Sequence, residues 1–185
     1  ETGYNGTHLC SEHFIDYVER RVKKEIRKEI SLYKGDTVGV AVSGGKDSMV
    51  TLSILHSLFN ERNGIRLVCI SIDEGIDGYR PPSLDIVRRF CSEESIEYRE
   101  RSFSELGLSM DEVAPVSGSS SPCTYCGVFR RKLMNDEARK VGAKYLATGH
   151  NLDDIAQSVM MNIVRGDIER LARLGPHTVS YTHLR

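Results

Sequence analysis

The chain has 185 residues, 39% hydrophobic and 28% charged, with a formal net charge of -1. That suits one medium domain with a real core and excludes a wholesale polycation, so any nucleic-acid contact must come from a local basic patch. No run of 18 apolar residues and no basic-then-apolar leader occurs, so neither a transmembrane helix nor a signal peptide is expected.

Ser11 to Ile30 predicts an amphipathic helix, with Phe14, Ile15, Val18, Val22, Ile26 and Ile30 on one face and Ser11 as its cap. The other face carries Arg20, Arg21, Lys23, Lys24, Arg27 and Lys28, offset by Glu19, Glu25 and Glu29. A solvated helix and an RNA-facing patch explain it equally well. Thr37 to Val42 is a short apolar strand, Ser43 to Asp47 a glycine-rich turn, and Lys46 to Phe59 a helix. Arg66 to Ile72 is a second strand, ending at Asp73-Glu74-Gly75. A helix opens at Pro82-Ser83 and runs to about Ser95, and Ile96 to Ser102 reads as a third strand. Pro115 to Pro122 is a Ser/Gly/Pro loop, Cys126 to Val141 a helix, Lys144 to Thr148 a fourth strand, and Asn151 to Leu174 one long helix.

Strands that are near-continuous apolar runs, alternating with helices, predict an α/β fold: a parallel sheet with helices on both faces. Ligands of such sheets bind at the carboxyl ends of the strands. Three strand ends carry SGGKDS, DEG and TGH, so all three should face one crevice. Residues 31–174 read as this domain, residues 1–30 as a separate N-terminal piece, and residues 175–185 as a tail without periodicity. The chain does not begin with Met and reads as incomplete at both ends. Asn5-Gly6-Thr7 matches a glycosylation sequon and is read as a chance match.

The loop Ser43-Gly44-Gly45-Lys46-Asp47-Ser48 follows a strand and starts a helix. Its glycines allow a tight turn and close approach of backbone to a ligand. The first amides of the following helix face an anion, with Ser43, Ser48 and Lys46 as further donors. Neither GxxxxGK[ST] nor GxGxxG is present. Asp47 beside a phosphate cradle is repulsive unless it holds a cation, which makes it a reasonable Mg²⁺ ligand. In Gly149-His150-Asn151-Leu152-Asp153-Asp154, Asn151 can cap a helix and the two acids complement its dipole. Capping alone does not account for His150 plus two acids at a strand end, so the segment also reads as part of a site.

Five cysteines are too few and too irregular for a disulfide scaffold, which points to a reducing, cytoplasmic compartment. Cys69 and Cys91 read as core thiols. Cys123 and Cys126 form a CxxC in a segment reading PCTYCGVFRR. A thioredoxin-like pair should open the helix after the first strand, and this one does not; a structural zinc needs two more ligands, and none is obvious nearby.

Taken in order, SGGKDS, PCTYCGVFRR and ATGHNLDDIAQSVMMN resemble the tRNA-uridine 2-thiolation enzymes: the TtuA type with the archaeal and eukaryotic cytoplasmic tRNA 2-thiolation proteins. The resemblance covers about residues 8 to 176. It implies a PP-loop ATP pyrophosphatase of the adenine-nucleotide alpha-hydrolase-like fold. It also implies a two-stage reaction in which ATP adenylates uridine O2 and a sulfur nucleophile displaces AMP. By the same resemblance Ser43, Gly44, Gly45, Lys46, Asp47, Ser48, Gly149 and His150 bind ATP, with Ile72 and Asp73 at the adenosine. Asp47 holds Mg²⁺, Arg130 faces the phosphate charge where the family often has lysine, and Asp154 manages protons on the base. Cys123 and Cys126 hold a [4Fe–4S] cluster with a third cysteine that this sequence does not contain. Cys10 and His13, in His8-Leu9-Cys10-Ser11-Glu12-His13, match the second half of an N-terminal zinc finger. The implied partners are tRNA, a sulfur donor (a ubiquitin-like thiocarboxylate carrier or sulfide) and a second copy of the chain, with no membrane. Uridine 34 and uridine 54 are both open. An ATP-dependent synthetase or amidotransferase with zinc at the CxxC, and a non-catalytic nucleotide- or tRNA-binding subunit, are the alternative readings.

Overall fold

The computed structural model describes residues 8–60, 64–78, 80–116 and 121–172. In chain order these form α1 (Ser11–Glu29), β1 (Thr37–Ala41), α2 (Lys46–Asn60), β2 (Arg66–Asp73), α3 (Arg80–Glu93) and β3 (Glu97–Ser102). A 3-10 turn at Phe103–Leu106 leads to α4 (Met110–Val116), α5 (Pro122–Lys140), β4 (Ala143–Thr148), α6 (Leu152–Arg165) and α7 (Ile168–Ala172).

The four strands form one parallel sheet in the order β3-β2-β1-β4. Alternate residues of the central strands feed two cores, as a sheet covered on both faces requires. Val38, Val40 and Cys69 pack with Leu52 and Leu55 of α2 and Val87 and Cys91 of α3. Val68, Ile70 and Ile72 pack on the opposite face with Met110 of α4 and Cys126 and Leu133 of α5. The expected α/β fold, a parallel sheet between helices, is what forms, and Cys69 and Cys91 are core thiols.

Several elements depart from expectation. β3 is EYRERS rather than an apolar run. It lies at the sheet's edge, where charged side chains are tolerated because one flank is open. Arg66 and Arg99 pair with Glu97, and Arg88 with Glu100. α3 opens at Arg80, two residues before the expected start, since proline is accommodated in a first helical turn. α4 occupies part of the segment expected as loop and contains Pro115. The expected helix to Leu174 breaks at Gly166, whose left-handed φ of 66° caps α6 through bonds from its N–H to Asn162 and Ile163 carbonyls. The N-cap of α1 is Cys10, not Ser11, and makes no side-chain cap bond. α1 buries none of its residues, although Ile26 leans on the first core. The sequon, Leu174 and the tail 175–185 lie outside the described residues. Among the described residues no helix is long and apolar enough to cross a membrane.

Candidate functional site

The carboxyl ends of β1, β2 and β4 do meet, around a cavity of about 270 Å³. From the loop after β1, Ser43, Gly45, Lys46, Asp47 and Ser48 line it; from the loop after β4 come Thr148, Gly149 and His150; Ile72 and Arg130 close it.

The loop after β1 is shaped by two contacts that exclude a side chain. Gly44 has φ of 83°, and a Cβ there would overlap the Ser83 carbonyl oxygen of α3. A Cβ on Gly149 would lie 2.7 Å from Ser48 Cα and 2.9 Å from the Asp47 carbonyl carbon. The loop after β4 is therefore pressed against the first turn of α2, bringing TGHNLDD to the anion-binding end of that helix. Serine hydroxyls close the turn internally: Ser48 Oγ donates to the Gly45 carbonyl at 2.9 Å and accepts from Ser43 N at 3.2 Å.

Charge at the cradle is mixed. Lys46 Nζ donates to Asp47 Oδ1 at 3.0 Å. That bond, with the Asp47 charge and weaker fields from Asp154 and Asp153, holds the Lys46 ammonium above its ordinary value. His150 Nδ1 shares a 2.9 Å hydrogen bond with Thr148 Oγ1, which fixes the imidazole orientation at the rim.

Gly44, Asp73 and Asp154, singled out with these residues, do not line the cavity. Gly44 shapes the turn. One oxygen of Asp73 accepts from Gly75 N at 2.9 Å. Asp154 is in a capping box: its Oδ2 accepts from Asn151 N and the Asn151 side chain accepts from Asp154 N, both at 2.9 Å.

The cysteine segment corrects the sequence reading. α5 starts at Pro122 with Ser121 as N-cap, accepting from Cys123 N, so both cysteines lie inside the helix rather than Cys126 beginning it. Proline at the first position and serine at the cap explain the early start. Cys123 is exposed and Cys126 is buried in the second core. One turn later, Arg130 Nη2 donates to Cys126 Sγ at 3.1 Å. Cys10 Sγ and His13 Nδ1 lie 2.9 Å apart on exposed α1, far from this crevice in the chain. Among the described residues, no three His, Cys, Asp or Glu side chains cluster as a metal site would need.

The sequence places Glu74 in the DEG strand end at the crevice but gives it no role of its own. It is 2% exposed and sits between two arginines. Glu74 Oε1 pairs with Arg130 Nε at 2.8 Å, and Oε2 lies against Arg80 Nε. That second contact is an ion pair without an aligned hydrogen bond, because Arg80 Nε donates to the Ile72 carbonyl instead. Arg80 also donates from Nη2 to Ile72 O and from Nη1 to Ser43 O, at 2.8 and 3.0 Å. Burial works against the charge on Arg130, but the Glu74 carboxylate and the contacts with Cys126 and Glu74 outweigh it and hold the guanidinium above its ordinary value. The available signal was Asp73-Glu74-Gly75 at a strand end, but the partners lie in other elements.

A family model described as a PP-loop domain matches residues 16–180. A "Probable sulfurtransferase" of Methanocaldococcus jannaschii is 40% identical over 178 residues, covering 93% of this chain and 52% of that protein. "Cytoplasmic tRNA 2-thiolation protein 1" of Candida albicans is 44% identical over 166 residues, covering 88% and 42%. The chain thus spans about half the length of the curated relatives it matches. Among solved structures, the U34-tRNA thiolase NcsA from Methanococcus maripaludis with its [4Fe-4S] cluster superposes with a TM-score of 0.83 at 38% identity, covering 92% of this chain and 57% of that one. The NH3-dependent NAD synthetase of Campylobacter jejuni, at 12% identity, 94% and 91% coverage and a TM-score of 0.53, shares the fold.

Proposed function

This chain belongs to the PP-loop domain family, and from that premise we propose that its crevice binds ATP and that the protein thiolates a tRNA uridine. The observation that carries the reading is the meeting, in one crevice, of the Ser43–Ser48 cradle and a CxxC helix whose Arg130 touches the Cys126 sulfur. The likeness to NcsA and to the 2-thiolation proteins supports it and favours uridine 34 as the position modified.

In this mechanism Ser43, Gly44, Gly45 and Ser48, with the N-terminus of α2, hold the β- and γ-phosphates, and Lys46 adds charge. Asp47, whose carboxylate is half-exposed at the cradle and paired among the described residues to its neighbour Lys46 alone, would hold Mg²⁺, which would spread phosphate charge. Ile72 and Asp73 border the adenosine, and Gly149 and His150 close the phosphate side. Uridine O2 attacks the α-phosphate and pyrophosphate leaves. A sulfur nucleophile then attacks C2, and the C–O bond breaks with AMP as the leaving group. Arg130 opposes the negative charge that builds on the phosphate. Asp154 takes the proton of the base through whichever oxygen its capping bond leaves free.

Cys123 and Cys126 offer two thiols three positions apart in the first turns of one helix, the right chemistry for two corners of a [4Fe–4S] cluster; the third cysteine that the resemblance implies is not among the five of this sequence. Such a cluster supplies a binding position for the sulfur to be transferred. Cys10 and His13, in mutual contact, would supply half of a tetrahedral zinc site, in keeping with residues 1–30 as an N-terminal unit preceding a catalytic domain at 31–174. The sulfur donor is a thiocarboxylate carrier or sulfide, the working form a homodimer, and the compartment cytoplasmic.

Pyrophosphate release with ATP, Mg²⁺ and unmodified tRNA tests the reading. The wild-type protein should release pyrophosphate only when tRNA is present, and Asp47→Ala should abolish it. Undiminished release by Asp47→Ala would overturn the assigned chemistry, and none from the wild type would leave a binding subunit.

A further inference from the structure

We propose that Glu74 is a positioning residue that fixes Arg130 between the phosphate cradle and the Cys126 sulfur. The inference rests on the thiolation reading above. Among the described residues, Glu74 is the one carboxylate that touches both arginines of the crevice. A carboxylate 2% exposed is tolerated only where cations face it, and here there are two. Its Arg80 side is rigid, since that guanidinium is buried and bonds the Ile72 and Ser43 carbonyls at the ends of β2 and β1.

The Arg130 side is different. That side chain is 45% exposed and would be free to swing if untethered. Two contacts set its plane: Nε on Glu74 Oε1 at 2.8 Å, and Nη2 on Cys126 Sγ at 3.1 Å. Nη1 then has no protein partner among the described residues and is the donor available to the cavity that Arg130 lines. One carboxylate against two guanidiniums also leaves a net positive charge at this wall. Glu74 therefore decides where the free donor of Arg130 points, while its link through Arg80 to Ser43 keeps that point in register with the cradle. Both stages need Arg130 placed, but ATP binding rests mainly on the loop's own amides and hydroxyls.

The test uses the full chain and the variants Glu74→Gln, Arg130→Gln and the double variant. In cluster-loaded protein, Glu74→Gln should slow thiolation at saturating ATP at least about tenfold, while the ATP affinity of metal-free protein changes less than about threefold. The double variant should be no slower than Arg130→Gln alone, because the two act through one contact. In metal-free protein labelled with ¹⁵N-arginine, the Arg130 Nε–H signal (identified by its loss in Arg130→Gln) should be lost or shifted in Glu74→Gln. If Glu74→Gln does not fold, Glu74→Asp keeps the charge but withdraws the carboxylate by one methylene, and should show the same loss. An unchanged Nε–H signal, losses that multiply in the double variant, or an ATP affinity that falls as far as the rate would each overturn the proposal. Should the wild type thiolate nothing, the thiolation reading fails, and the Nε–H signal alone decides whether Glu74 places Arg130.

Discussion

Gly149→Ala adds one methyl group and isolates the close approach that assembles the crevice. The new Cβ would sit 2.7 Å from Ser48 Cα, 2.8 Å from Ser48 N and 2.9 Å from the Asp47 carbonyl carbon. Ordinary contact begins at 3.4 Å, so the loop after β4 and the first turn of α2 must part by ~0.5–0.7 Å. Every atom met is main chain, so no side-chain rotation relieves the clash. Gly149 is not in the left-handed region, so alanine adds no backbone strain of its own. Overpacking of this kind costs about 1–3 kcal/mol, which for a domain of this size lowers the melting temperature by about 2–10 °C. The displaced group is the anion-binding end of α2, so ATP affinity and tRNA-dependent pyrophosphate release should both fall, the latter by about 10- to 100-fold. Gly142→Ala is the control. Gly142 has φ of 71° and nothing within 4 Å of a Cβ, so alanine there costs about 1–2 kcal/mol of strain and should leave ATP affinity intact. If Gly149→Ala bound ATP as the wild type does, with an unchanged melting temperature, the close approach would not be what builds the cradle.

Gly44→Ala combines strain with a clash against the Ser83 carbonyl, and should lose more stability than Gly149→Ala in the same thermal melts. Ser121→Ala removes the cap of the cysteine helix, worth about 0.5–2 kcal/mol, and should speed hydrogen exchange at Cys123 and Thr124 without changing β-sheet protection. Glu97 and Glu100 give the edge strand a pH signature. Burial pushes both carboxyls up, but Arg66 and Arg99 on Glu97, and Arg88 with the Tyr98 hydroxyl on Glu100, pull them net below the ordinary value of 4.5. A carboxyl with a depressed folded value contributes stability fully above its unfolded value and loses it as pH falls through the folded one. The melting temperature should therefore drop as pH is lowered below 4.5, and Glu97→Gln with Glu100→Gln should flatten that drop. An unaltered acid limb in the double variant would discount these pairs.

The sequence made the inner strands legible because β1 and β2 are buried on both faces and read as apolar runs. β3 shows the limit: its charges satisfy an open edge, so its position had to come from register rather than from apolarity. The residues of SGGKDS marked the strand-to-helix turn between β1 and α2, because glycines and hydroxyls at such a junction encode their geometry locally. Where the expectation slipped, the cause was local chemistry weighed wrongly. Ser121-Pro122 is a helix start and was read as loop, and Gly166 is a left-handed stop read as helix interior. The role of Glu74 is hidden for another reason. Its role exists only once β2, α3 and α5 are packed, and nothing beside it in sequence names Arg80 or Arg130 as partners.

The central claim is that one crevice couples ATP cleavage to sulfur insertion, and nucleoside mass spectrometry tests it most directly. Unmodified tRNA, ATP, Mg²⁺ and sulfide are incubated with the cluster-loaded full chain, and 2-thiouridine, AMP and pyrophosphate are quantified together. The account predicts 2-thiouridine at uridine 34, formed only with ATP, in equal amount to AMP and pyrophosphate, and lost in Cys123→Ser, whose side chain is exposed, while pyrophosphate release persists. Thiolation without ATP, or nucleotide turnover that never yields 2-thiouridine, would contradict it.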